Sequence, residues 1–178
     1  MKKNKTTISG CFELEPPIFG DTRGKLIKTF HKDIFLDLGL ATNFTEEYYS
    51  VSSKNVLRGL HFQLPPHDHV KCVACLLGKI YDVVVDLRKN SKTYKQYFSI
   101  ELNAEKGNML YIPEGLAHGF YVLSETAIFL NRTTTVYNAE SEAGVRWDSC
   151  GIEWPVRNPI LSDKDKQLIA LDNFNSPF

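Results

Sequence analysis

The stretch Lys79–Leu87 (KIYDVVVDL) decides the fold. With the two-residue period of a strand, Tyr81, Val83, Val85 and Leu87 fall on one face, and Ile80, Asp82, Val84 and Asp86 on the other. Both faces are largely apolar, so the segment belongs in the middle of a fold. Asp82 is then an interior acid, and a buried carboxylate needs a partner, for which a histidine is the obvious choice.

Outward from it, strand signals dominate. Ile8–Phe12, Lys25–Phe30, Tyr48–Val51, Leu57–Phe62, Val70–Leu77, Tyr97–Leu102, Met109–Ile112, Gly119–Leu123 and Ala127–Asn131 are short and rich in Val, Ile, Phe and Tyr. Gly, Pro, Asn and Ser clusters separate them, which predicts a β-sandwich or barrel. Helix is expected only at Lys32–Leu40 and after Ser162, where Ser162 reads as an N-cap followed by the first-turn acids Asp163 and Asp165. Met1–Thr7 and Asn173–Phe178 read as loose ends or as segments packed on a neighbouring subunit.

The chain has 178 residues, 43% of them hydrophobic, which suits one domain spanning 1–178. Its formal net charge of zero lacks the basic excess of a general nucleic-acid binder. Met1–Gly10 is polar and no apolar run reaches spanning length, so no membrane association and a cytoplasmic location are expected. The four cysteines are too sparse for a disulfide scaffold. Cys72 and Cys75 spell CxxC, but residues three apart on a strand face opposite ways, so a core role is expected for both.

Two segments, Val56–Gln63 (VLRGLHFQ) and Pro113–Phe120 (PEGLAHGF), each set a histidine in an apolar strand. An imidazole titrates near neutral pH, so His61 and His118 aimed into one cavity would make a proton-transfer site. Arg58 adds a permanent cation, which suits an anionic substrate.

Gly107–His118 (GNMLYIPEGLAH) resembles the second half of the cupin signature, which implies an all-β cupin jelly roll with short peripheral helices. The first half of that signature would supply HxH and then a glutamate. His67 and His69 offer the histidines, but no acid follows before Gly78, so no metal site is expected and the pair reads as a solvated loop.

VLRGLHFQ, Lys71, GKIYDVVVDLRKNSKTY (Gly78–Tyr94), IPEGLAHGF (Ile112–Phe120), GVRWD (Gly144–Asp148) and LSDKD (Leu161–Asp165) together resemble the dTDP-4-dehydrorhamnose 3,5-epimerase family, in register from about Phe19 to Asp165. The resemblance implies a homodimer that binds a nucleoside-diphosphate 4-keto-6-deoxy sugar and epimerises carbons beside the ketone, with no metal or organic cofactor. It implies His61 as general base, Asp165 as the acid that orients it, Lys71 as the cation facing the keto oxygen, and His118 with Asp82 as a second dyad. Arg23 and Arg58 would hold the diphosphate, and Gln63 and Ser50 would line the substrate site. The chemistry asks for these types. A proton alpha to a ketone is too weakly acidic for a bare imidazole unless a cation stabilises the enolate oxygen, and arginine forks match diphosphate.

The family pattern breaks in one region. Its tyrosine after the second histidine, thought to return a proton from the face opposite the base, is Asn131 here, and a carboxamide is no acid near neutral pH. Glu46 and Tyr48 stand where the family carries Gln and Asn near the sugar, whereas Tyr137 matches a second family tyrosine. Tyr137, Tyr48 and ordered water are candidate substitute acids. The expectation is an epimerase working at C3 alone. The alternatives are a C3/C5 double epimerase, a 3,4-ketoisomerase and a nucleotide-sugar-binding module with impaired catalysis. The nucleotide base is not legible.

Overall fold

The computed structural model describes residues 1–178. Thirteen strands run in order: β1 (Lys2–Lys5), β2 (Phe12–Glu15), β3 (Ile18–Asp21), β4 (Gly24–Ile27), β5 (Glu46–Ser53), β6 (Leu57–Gln63), β7 (Lys71–Leu77), β8 (Lys79–Asp86), β9 (Tyr97–Asn103), β10 (Met109–Ile112), β11 (Leu116–Val122), β12 (Thr126–Thr133) and β13 (Glu142–Gly144). The two α-helices, α1 (Lys32–Asp37) and α2 (Asp163–Lys166), are short. One sheet has the order β1-β2-β10-β7-β12-β5, a second β13-β6-β11-β8-β9, and β3 and β4 form a separate hairpin. The result is the jelly roll expected of a cupin. No helix is long and apolar enough to cross a membrane.

The reading of KIYDVVVDL holds. β8 pairs with β11 on one side and β9 on the other. Ile80 and Val84 enter a core cluster shared with Val73, Leu110 and Phe129 of the opposite sheet, while Val85 and Leu87 pack with Leu60, Phe62 and Val145 on the outer side. Burying each such side chain contributes roughly 1.5–3 kcal/mol. Cys72 and Cys75 also divide as expected, one into each of two core clusters.

Several boundaries move. Ile8–Phe12 is a turn rather than a strand: the Thr6 hydroxyl donates to the Cys11 carbonyl and accepts the Ile8 N–H, and Gly10 takes φ +82°. Ile8 is apolar because the turn plugs it into the core, not because it alternates along a ladder. Lys25–Phe30 shortens to the exposed strand Gly24–Ile27, and Phe30 instead stacks edge-on against Phe35 at 5.0 Å. The helix at Lys32–Leu40 ends at Asp37 and buries only Phe35. The termini are not loose. Lys2–Lys5 pairs with Phe12–Glu15, and at the other end Phe174 and Phe178 close on Phe62 while the Ser176 hydroxyl donates to the Leu87 carbonyl at 2.5 Å. The His67–His69 loop is tied down as well, with His67 Nδ1 at 2.9 Å from Ser141 Oγ and His69 Nδ1 at 3.0 Å from Thr135 Oγ1.

One close approach positions the site. Gly59 has φ +131°, and a Cβ there would lie 2.6 Å from Gly119 Cα. β6 and β11 can touch backbone to backbone only because both residues lack side chains, and the ladder shifts register between His118 and Phe120. Just beyond, His118 and His61 sit directly opposite one another. Gly59→Ala therefore combines a disfavoured φ with a backbone clash and is expected to lower stability by about 3 kcal/mol in chemical denaturation. Gly151→Ala, with φ +66° but open space around its Cβ, is the control and should cost only about 1 kcal/mol.

Candidate active site

A cavity of about 230 Å³ opens between the two sheets. Strand alternation fills it from both walls. From the five-stranded sheet come Arg58, His61 and His118; from the six-stranded sheet come Lys71, Tyr48, Ser50, Phe129 and Asn131. Tyr48 faces Asn131 and Ser50 faces Phe129 across the β5–β12 ladder, so these four share one inward surface. α2 closes one end with Lys164 and Asp165.

His61 Nε2 lies 2.6 Å from Asp165 Oδ1. The carboxylate can reach β6 because Ser162, as expected, caps α2: its hydroxyl accepts the Asp165 N–H at 3.1 Å and fixes where the first turn starts. The Gly59 N–H approaches Asp165 Oδ2 at 3.4 Å. Burial works to raise the Asp165 pKa, but the hydrogen bond and charge of His61, with the Gly59 amide, outweigh it and hold the carboxyl below its ordinary value. An ionised acceptor keeps the proton on Nε2, which leaves Nδ1 as the basic nitrogen.

Lys71 is buried, and its Nζ donates to the His61 carbonyl at 3.0 Å, bringing an ammonium from one sheet against the backbone of the other. Burial lowers its pKa to about 8, with Asp82 resisting. His118 Nε2 lies 2.9 Å from Asp82 Oδ2, so the interior acid does find a histidine. Burial holds His118 below its ordinary value and pushes Asp82 above the usual carboxylate range. The His118 ring stacks on Phe129 with centroids 5.8 Å apart.

Beyond this centre, Glu46, Gln63 and Tyr137 line an adjoining recess together with His69, Thr133 and Glu142. Their polar atoms bond within the protein. Gln63 donates to the His67 carbonyl at 2.7 Å and accepts the Asn138 N–H at 2.6 Å, Glu46 accepts the Tyr137 N–H at 2.7 Å, and the Tyr137 hydroxyl donates to Glu142 at 2.8 Å. Burial pushes His69 down to about 3, so it stays neutral beside Lys71. Arg58 stands at the mouth with Nε donating to Ser52 Oγ at 3.0 Å. Arg23 lies outside this cavity, on the β3–β4 hairpin, paired with Asp21 at 2.5 Å.

Asn131 Nδ2 donates to the Tyr48 hydroxyl at 2.7 Å. Asn131 Oδ1 and Ser50 Oγ are buried without a protein partner. Sequence reasoning did not single out Lys164, which lines the cavity and pairs with Glu142. It also missed Phe129, whose ring looks like ordinary core until β12 is placed opposite His118. The one available signal for Lys164 was its position inside the LSDKD block.

Comparison with known proteins places this geometry in a lineage. The family model described as dTDP-4-dehydrorhamnose 3,5-epimerase matches residues 5–173. The enzyme of that name from Shigella flexneri is 44% identical over 164 residues, covering 90% of this chain and 91% of the relative. A solved epimerase from Legionella pneumophila in complex with dTDP-4-keto-L-rhamnose superposes with a TM-score of 0.93 at 35% identity, covering 98% of this chain and 94% of that one. A 3′-monoepimerase from Streptomyces bikiniensis in complex with dTDP-quinovose gives a TM-score of 0.89 at 28% identity, covering 95% and 87%. With the jelly roll, the paired histidines and the buried lysine in their expected order, the chain belongs to the dTDP-4-dehydrorhamnose 3,5-epimerase family.

Proposed function

We propose that this chain is an isomerase that epimerises a nucleoside-diphosphate 4-keto-6-deoxy sugar at C3 alone. The observation that carries the reading is the convergence of a carboxylate-backed imidazole and a buried ammonium on one cavity: His61 on Asp165 at 2.6 Å, and Lys71 lining the same space. His61 Nδ1 takes the proton alpha to the ketone, the C–H electrons move toward the carbonyl, and the ammonium of Lys71 neutralises the oxygen of the enolate. The unpartnered Asn131 Oδ1 and Ser50 Oγ suit sugar hydroxyls, which would supply their missing hydrogen bonds. The ligand of the Legionella pneumophila neighbour supports the substrate class.

The C3 restriction rests on the loss of the family phenol at position 131 with His61, Lys71 and Asp165 retained, and the Streptomyces bikiniensis monoepimerase supports a one-carbon reaction on this fold. Arg58 and Lys164 at the cavity suit the diphosphate. Arg23, 87% exposed and away from that cavity, fits a homodimer in which the β3–β4 hairpin of one copy covers the other's opening. The exposed Ile18, Phe19 and Leu26 on that hairpin support the same arrangement.

Turnover in deuterated water, followed by NMR, is expected to place label at C3 only. Label at both C3 and C5 would overturn the restriction, and label at neither would overturn the epimerase. Lys71→Met should lower kcat by about 10³-fold, as for loss of an oxyanion donor. Lys71 is charged below its pKa of about 8 and neutral above it, so kcat/KM should fall as pH rises through that value and show no such limb in the Met variant. Sedimentation should give twice the 20.3 kDa chain mass.

A further inference from the structure

Position 131 carries no phenol, yet one phenol does line the cavity, on the neighbouring strand. Tyr48 and Asn131 are direct partners in the β5–β12 ladder and project to the same side as Lys71. Relative to the family pattern, tyrosine and amide have changed places across the ladder, which moves the root of the phenol by one strand spacing, about 4.8 Å. The other candidate, Tyr137, is committed, because its hydroxyl donates to Glu142.

Several features fit Tyr48 for proton donation. Asn131 Nδ2 donates to its hydroxyl oxygen at 2.7 Å, so the phenol accepts there and its own hydrogen is left to point into the cavity. The same N–H would stabilise a phenolate. Asn131 is only 2% exposed, so the amide that meets the ring is packed into the wall of the cavity. Tyr48 also stands on the six-stranded wall and His61 on the five-stranded wall, so a sugar ring between them meets the imidazole on one face and the phenol on the other. Partial burial pushes the Tyr48 pKa above its ordinary value, which keeps the group protonated through the neutral range.

We propose that Tyr48 is the general acid that completes inversion, with Asn131 as its positioning residue; the proposal rests on the epimerase reading above. After His61 has taken the proton, the enolate electrons return toward carbon. That carbon takes the Tyr48 hydroxyl proton from the opposite face, and the phenolate regains a proton from water while His61 releases one.

The test separates exchange from inversion. A thymidine-diphosphate 4-keto-6-deoxyglucose substrate is incubated in deuterated water, and NMR follows both label at the reacting carbon and its configuration. His61 is 33% exposed in its side chain and can trade its proton with solvent. Tyr48→Phe should therefore still incorporate label with retention, while inverted product forms at least 10²-fold more slowly. That retained exchange also reports a folded site. Asn131→Leu should slow inversion about tenfold with KM little changed, and Asn131→Gln should recover part of the loss. Tyr48→Phe inverting at the native rate, or losing exchange together with inversion, would overturn Tyr48 as the acid. A native enzyme that shows neither exchange nor inversion would overturn the epimerase reading itself.

Discussion

The contact between His61 and Asp165 organises this molecule. It joins residues on an interior strand and on a one-turn helix that are 104 positions apart in the chain, at 2.6 Å. The Ser162 cap starts the helix at the right residue, the Gly59 amide meets the second carboxylate oxygen, and the close β6–β11 approach places His118 opposite His61. A single hydrogen bond of this kind contributes little net stability, on the order of 1–3 kcal/mol when one partner is charged. Its weight lies in geometry: it selects the imidazole tautomer and, with it, the nitrogen that can accept a proton.

The electrostatics follow from how few charges the cavity buries. Lys71 is buried and hydrogen-bonded to a neutral carbonyl rather than to a carboxylate. Its proton is therefore loosely held, and a developing oxyanion would be a stronger partner than any the resting protein offers. Asp82 sits within reach of its field but spends its hydrogen-bonding capacity on His118. Asp165 is likewise occupied by His61. In the proposed reaction the site would keep one cation underused until charge forms on the substrate, which is the condition for stabilising a transition state more than a ground state.

Much of this was legible in the chain itself. The two faces of KIYDVVVDL, the opposite facing of Cys72 and Cys75, the need of Asp82 for a histidine and the Ser162 cap all follow from periodicity and local hydrogen bonding, which act over a few residues. What failed did so where apolar residues serve contacts other than a ladder. Ile8 plugs a turn, Phe30 joins an aromatic cluster with Phe35 and Phe44, and Phe178 packs on Phe62 on the outer side of the second sheet. His67 and His69 read as a solvated loop, whereas their shortest side-chain contacts, Ser141 and Thr135, arrive from more than sixty residues away.

The residues alone determined the fold class, the identity of the paired imidazoles and the presence of a lysine on the strand that follows, because alternation and motif order are properties of a one-dimensional string. Only the folded chain decided which groups share a space. It set Tyr48 against Asn131, drew Lys164 to the cavity, turned Gln63 inward to brace two loops and left Arg23 on an outlying hairpin. The physical reason is that ladder register and sheet packing bring together residues from distant segments, and neither is encoded by any one of those segments.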